Sequence, residues 1–526
     1  MKRKSELRCI PLNLQLSKCP IKINLFGVQK LQPFFPPIEC LFKTENLERS
    51  SEYGFKLPET ITSIQDSVIL TSLGNKIEVH PKITMLLNPY KWMKGDVCSI
   101  DLPCSSEKSK IIQTKLQNHN NAAYVGSIFS LVFSLSECQH FPNVYGIYSG
   151  ISDKFILDIS DDYEELSEKP WFSKNIGNTF ELKLNEIKEN FIKYTRSARL
   201  PLSLGEELQL DDVEELEGIE SSDVISGEFT KIFEETEDNQ SHTSSSESTI
   251  DVFELQSVSE YSNYENDDEF DDDDEPFAWA TFKNVPTQIT IMEKLEGTFY
   301  ELITKHPEQE KHFAWLGQIV FALAYAQRNF GFIHNDLHGN NIMFKKTNEE
   351  YFYYSYSNKR FKIPSYGYLL KIIDFDRGIG QIKLPGMKEP KIFMSDQFAR
   401  EEEAGGQYNY EPFHTDKFSL IKPNPSFDLT RLATSLFWDM FSEGPEHSEY
   451  QNQKVFKLFI KWMTLPDNTS VLFHKKNPKY DRYYGFDLYK AIARYSNNAI
   501  PRKEISEFSD FLNNNDLNEK YLIIEV

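Results

Sequence analysis

The chain has 526 residues, 40 of them Phe and 26 Tyr, and a formal net charge of −23. That length leaves room for two lobes or two to three domains around a sizeable core, and the aromatic content excludes a largely disordered chain. The charge is local. Ser203 to Glu275 holds 27 Asp and Glu against one Lys, or −26, which leaves about +3 for the rest. The acidity therefore says nothing about a substrate, and the near-neutral remainder gives no basis for direct binding of nucleic acid.

The first residues, MKRKSELRCIPLNLQLSKCPIKINLF, are basic but contain no continuous apolar stretch, and no segment approaches ~18 apolar residues in a row. The expectation is a soluble, intracellular protein with neither signal peptide nor membrane partner. Six cysteines at 9, 19, 40, 98, 104 and 138 form no C-x-x-C pair, which fits free thiols in a reducing compartment. Residues 1–54 read as an irregular arm, weakly periodic and rich in Pro and Lys. From 55 to 202 the pattern is mixed. Residues 66–80 read as two strands joined at Gly74 and Asn75. Residues 120–137 carry apolar side chains at 125, 128, 129, 132 and 135, a helical spacing. NVYGIYSG and KFILDIS then read as strands.

Residues 203–275 are expected to be disordered, because like charges repel and Ser, Asp and Glu bury too little area to offset chain entropy. Such an insert is either a plain solvated spacer, a contact for a basic partner, or a site for acid-directed kinases. Order resumes over 276–297, where QITIM (288–292) is a strand. The last segment, 298–526, opens with a helix capped by Thr298. An amphipathic helix over about 308–330 follows, and further helices lie beyond 425. The expected class is α+β.

The polar residues that carry chemistry crowd into GFIHNDLHGNNIMF (331–344). Two strands, 342–344 and LLKIIDFD (369–376), would bring Asp336, Asn341 and Asp374 to one edge if they lay side by side. That set suits phosphoryl transfer. One carboxylate orients an attacking hydroxyl and accepts its proton, while an amide oxygen and a second carboxylate hold Mg²⁺ against nucleotide phosphates.

These residues resemble the protein kinase-like superfamily. His334-Asn-Asp336-Leu-His338-Gly-Asn-Asn341 resembles the catalytic loop H-R-D-L-x-x-x-x-N, and Asp374-Phe375-Asp376 resembles D-F-G. Asn424-Pro-Ser-Phe-Asp428 resembles the start of the helix whose Asp ties down that loop, and His140-Phe-Pro-Asn143-Val resembles the H-P-N-V junction. The closest flavour is that of divergent serine/threonine kinase-like proteins of large DNA viruses, which would place the chain in host cytoplasm or virion. The resemblance implies a two-lobed fold, a small β-rich N-lobe with the acidic insert in it and a larger helical C-lobe. It implies ATP and Mg²⁺ as cofactors and a protein Ser/Thr hydroxyl as substrate. By the same resemblance Asp336, Asn341 and Asp374 are catalytic, the last two as metal ligands. Met292 and Glu293 stand at the adenine-side hinge, and His338 stands where a phosphate-contacting Lys is often found.

Lys82, in Val79-His80-Pro81-Lys82, aligns with V-A-I-K as the lysine that grips the phosphates, with Lys91 as a rival; it should lie at salt-bridge distance from Asp374. Pro81 favours an edge or irregular strand. The departures are specific. No G-x-G-x-x-G precedes Lys82. Ala122 and Ala123 stand where a helix Glu would pair with it, and Glu137 lies at the far end. Asn335 replaces Arg, which removes control by loop phosphorylation. Asp376 replaces Gly and needs compensation by Mg²⁺ or Arg377. His338 could contact phosphate only when protonated or as a hydrogen-bond donor. Two other readings stand beside the protein kinase: a small-molecule kinase of choline or aminoglycoside type, and a catalytically weak scaffold.

Overall fold

The computed structural model describes residues 14–19, 25–42, 50–185, 277–399, 402, 404, 422–483, 485–513 and 520–524. The expected acidic insert at 203–275 lies outside the described residues. The architecture is α+β. Its largest sheet has seven antiparallel strands: β1 (Val28–Gln32), β2 (Ile61–Gln65), β3 (Val68–Thr71), β4 (Lys76–Met85), β5 (Val144–Asp158), β6 (Glu181–Asn185) and β7 (Phe277–Glu293). The order is β1-β5-β7-β4-β3-β2, with β6 alongside the start of β7.

Two sequence readings change here and a third is met locally. NVYGIYSG and KFILDIS form one continuous strand, β5, because β7 runs opposite them throughout. The N-terminal arm is not irregular where it is described: β1 adds an edge strand beside β5, and Phe34 and Phe35 behind it are fully buried. A strand at 28–32 shows no alternation of its own and forms because a partner edge is there to pair with. The third concerns Pro81, which lies inside β4 opposite Ile291. β3 covers β4 only up to Glu78, so no ladder hydrogen bond is required of the proline on that side.

Between β4 and β5 lies helix α1 (Ala122–Ser134), capped by the Asn121 side chain, which accepts the Ala123 N–H. Residues 123–133 are all buried, as expected of a helix apolar on every face. The Ser127 and Thr290 hydroxyls, 2.8 Å apart, fasten it to β7.

After β7 comes α2 (Phe299–Lys305), with Thr298 and Glu301 forming the reciprocal capping box. The long helix α3 (Gln309–Phe330) is more buried than an amphipathic pattern implies, since even Gln318, Gln327 and Asn329 face the interior. It stops at Gly331, whose left-handed backbone (φ 56°) returns N–H groups to Ala326 and Gln327. Strands β8 (Ile342–Lys346) and β11 (Tyr368–Ile372) then pair antiparallel. Between them β9 (Tyr351–Tyr356) and β10 (Lys359–Pro364) make the hairpin that YFYYSYSNKRF suggests, turning at Ser357 and Asn358, both with positive φ. Helices α4 (Phe427–Met440), α5 (Lys454–Met463) and α6 (Gly485–Tyr495) come later in the chain.

Among the described residues no helix is long and apolar enough to cross a membrane. The five described cysteines are free.

Candidate functional site

Register does the first part of the work. Ile342 of β8 sits opposite Ile372 of β11, so the loop entering β8 and the loop leaving β11 meet at one edge, where the Ile373 N–H donates to Asn341 O at 3.0 Å. The loop 331–341 is pinned from beneath by Asp428, in the first turn of α4 and fully buried. Its carboxylate accepts the His334 N–H (3.1 and 3.0 Å) and the Asn335 N–H (3.0 Å). His334 Nε2 reaches Ile373 O at 2.7 Å and closes the loop against the other strand end. Asn335 takes a left-handed backbone (φ 64°), which Asn tolerates better than most side chains. Its amide donates to Arg377 O at 3.0 Å. The residue that stands in place of Arg is therefore a brace between the two loops.

Asp336 is held on three sides. The Tyr489 hydroxyl from α6 donates to its Oδ1 at 2.8 Å, Arg377 Nη1 lies 3.8 Å from the same atom, and Asn341 Nδ2 donates to its backbone carbonyl at 2.8 Å. That last bond uses the donor side of the Asn341 amide and leaves its oxygen as the group to offer a cation. Tyr489 is a residue that sequence reasoning missed. It lies 153 positions from Asp336, and nothing local in DLYKAIARY marks it. The Arg431 guanidinium from α4 stacks on its ring at 4.8 Å.

Asp374 also has positive φ (64°), so two non-glycine residues in this small region occupy a sparsely populated conformation. Such strain concentrates at functional sites, where the surroundings over-determine it. Between Asp374 and Asp376, Phe375 is buried against Phe133 of α1 (5.0 Å), Phe332 (5.7 Å) and His334 (5.6 Å). With that ring anchored, the carboxylates on either side both reach Lys82, each at 2.7 Å from its ammonium. Burial works against a charged Lys82, and the two carboxylates outweigh it, so its pKa is raised. The rival Lys91 is elsewhere, paired with Glu402 at 2.6 Å. Lys82 offsets Asp376, and Arg377 reaches Asp336 and Gln397.

Met292 is buried near the end of β7 between His80 and Val144. Glu293, expected as the first hinge residue, has its side chain engaged within the protein. Its carboxylate is taken up by Lys371 (2.7 Å), Lys345 (2.9 Å) and the Asn143 N–H (2.9 Å). Burial would raise its pKa, but Lys371, Lys345 and that N–H more than offset this and hold it below the usual range. Any contact of Glu293 with a ligand is left to its backbone. The same knot holds the 140–143 junction, where His140 bonds Leu370 O at 2.8 Å and the Tyr354 hydroxyl at 2.7 Å. His338 is nearly buried, and burial pushes its pKa down to about 4. Its Nδ1 accepts the Asn340 N–H at 3.3 Å, so the imidazole is neutral, carries its proton on Nε2 and can serve a phosphate only as a donor.

The helix behind this site is fixed by Asp396. Its carboxylate accepts the Ala122 N–H (2.9 Å) and the Asn118 amide (2.8 Å). Burial first, then Glu402, lifts its pKa from 3.8 to about 7. The folded state thus binds a proton that the unfolded state releases, so stability from this group falls as pH rises through the window from about 4 to 7. Asp396→Asn is expected to gain in melting temperature relative to wild type as pH is raised from about 5 to 8. A difference that does not change with pH in thermal melts would refute this.

Among the described residues no group of three or more His, Cys, Asp and Glu side chains is placed to hold a metal ion. A divalent ion here would rest on the Asp374 carboxylate and the Asn341 amide oxygen and be completed by phosphate oxygens and water, a donor set that suits Mg²⁺. No protein-family model matches the chain, and no curated protein is a significant match.

Proposed function

We propose that the chain is an ATP- and Mg²⁺-dependent phosphotransferase with a two-lobed protein kinase-like fold, acting on a protein Ser or Thr hydroxyl. The observation that carries this is the contact of Lys82 with Asp374 at 2.7 Å, between residues 292 apart, beside a loop that Asp428 clamps. Lys82 lies on the third strand of the β2-β3-β4 meander, and α1 comes after it beyond two short helices, Pro89–Lys94 and Ile111–Leu116, in the order in which the resemblance puts the phosphate-gripping lysine and its helix.

Asp336 orients the acceptor hydroxyl and takes its proton, with Tyr489 and Arg377 fixing the carboxylate's direction. Lys82 grips the α- and β-phosphates, and His338 donates from Nε2. Asn341 and Asp374 would hold Mg²⁺, which when bound neutralises phosphate charge. The 140–143 junction and the 293–298 linker favour a protein acceptor over a small alcohol, because both resemble the protein kinase pattern.

The test offers Mg·ATP labelled at the γ-phosphate to the full chain with casein and with choline and aminoglycosides side by side. Label on protein Ser or Thr is expected. Label on the small alcohols alone would make it a small-molecule kinase, and absence of nucleotide binding would favour a scaffold.

A further inference from the structure

We infer that the carboxylate positioning Lys82 comes from Asp376, and that Gly126 is the gap in helix α1 that admits it. This rests on the reading of Lys82 as the phosphate-gripping lysine. A lysine in that role needs an anionic partner to aim it, ordinarily a Glu on the neighbouring helix. Helix α1, AAYVGSIFSLVFS, contains no acidic residue. Lys82 instead meets Asp374 and Asp376 at 2.7 Å each. Asp374 is the residue that would turn to a metal ion, so of these two partners Asp376 is the one that stays with Lys82 when nucleotide is bound.

Gly126 supports the assignment independently. It lies inside a helix with no positive φ, so its backbone does not call for glycine, and glycine is a poorer helix former there than Ala. A Cβ at this position would sit 1.8 Å from Asp376 Oδ1, 3.0 Å from its Cγ and 3.5 Å from its Cα. Residue 126 and the Asp376 carboxylate therefore compete for one volume, and a side chain grown from 126 would begin where that carboxylate now meets Lys82. Phe375, packed on Phe133 of the same helix, keeps the Asp376 side chain aimed at this gap. The helix offers no acid, and the carboxylate comes from the opposite loop. Sequence reasoning placed the missing acid at Ala122 or Ala123; the contact shows that Gly126 is the position facing Lys82's partner.

The experiment compares wild type, Gly126→Ala, Asp376→Gly, Gly126→Ala/Asp376→Gly and the exchange Gly126→Asp/Asp376→Gly. The readouts are Mg·ATP affinity by calorimetry, and KM for ATP and kcat separately. Gly126→Ala and Asp376→Gly should each weaken Mg·ATP binding about tenfold or more, a change of roughly 1.4 kcal/mol. Gly126→Ala should add nothing once Asp376 is gone. The exchange should return affinity to within about threefold of wild type, a rescue that mere destabilisation would not produce. An exchange no better than Asp376→Gly alone, or a Gly126→Ala variant that binds like wild type, would overturn the inference. Should wild type transfer no phosphate yet show this affinity pattern, the inference stands and the transferase reading falls. Normal transfer without the pattern gives the reverse, and a wild type that binds no Mg·ATP defeats both.

Discussion

Asp336→Asn is expected to lower phosphoryl transfer by about 10²–10⁴-fold while Mg·ATP affinity and the melting temperature stay close to wild type. The substitution is nearly isosteric, and the surroundings explain why little else should change. Tyr489 donates to Oδ1, which an amide oxygen can replace as acceptor. Asn341 is bonded to the backbone carbonyl of residue 336, which the substitution does not touch. The Arg377 Nη1 contact is long, at 3.8 Å, beyond hydrogen-bond distance, so what the amide gives up there is charge attraction. What the amide cannot do is accept a proton. Side-by-side transfer assays with calorimetric nucleotide titrations decide it: equal transfer by both proteins would remove Asp336 from the role of base.

The parts of this site that were legible in the sequence are those whose spacing is set within one segment. Asp336 and Asn341 flank a single turn between α3 and β8, and Asp374 follows a strand whose apolar run is plain, so the polar letters stand out against their frames. The Thr298 cap and the hairpin in 351–361 were legible for the same reason, since turn and cap chemistry is local. What was hidden depends on contacts across the chain. The partner of Asp336, Tyr489, comes from a helix with no distinguishing residue type. Glu293 reads as a hinge acid, but its neighbours Lys371 and Lys345 are supplied by β11 and β8, and only their pairing shows that the carboxylate is structural. Gly126 looks like a weak point in a helix until Asp376 is seen against it. Strand β1 reads as part of an arm because pairing in a sheet edge is decided by the partner more than by the strand.

Asp428→Ala is expected to have the largest effect on stability of any single change near the site, about 2–5 kcal/mol, and to cost activity through geometry alone. Asp428 touches none of the atoms proposed to react. Fully buried, it is the acceptor for the His334 and Asn335 N–H groups, and its removal leaves both donors in the interior with no replacement oxygen. Each orphaned donor costs about 1–3 kcal/mol, and a folded population then has to let the loop relax to find other acceptors. Relaxation at 334 and 335 carries Asp336 with it, because Asp336 follows directly on the left-handed Asn335. Asp428→Asn is the milder substitution, since an amide oxygen at the Oδ1 position still accepts from both N–H groups and its NH2 faces only that of His334. Denaturant titration should therefore show a lower midpoint at unchanged slope for Asp428→Ala, with kcat reduced more than KM for ATP, since Lys82 and Asp374 lie outside the clamp. A variant with wild-type midpoint and wild-type kcat would mean that the loop keeps its shape without Asp428, and the clamp would then have to be assigned to the His334 contact with Ile373 instead.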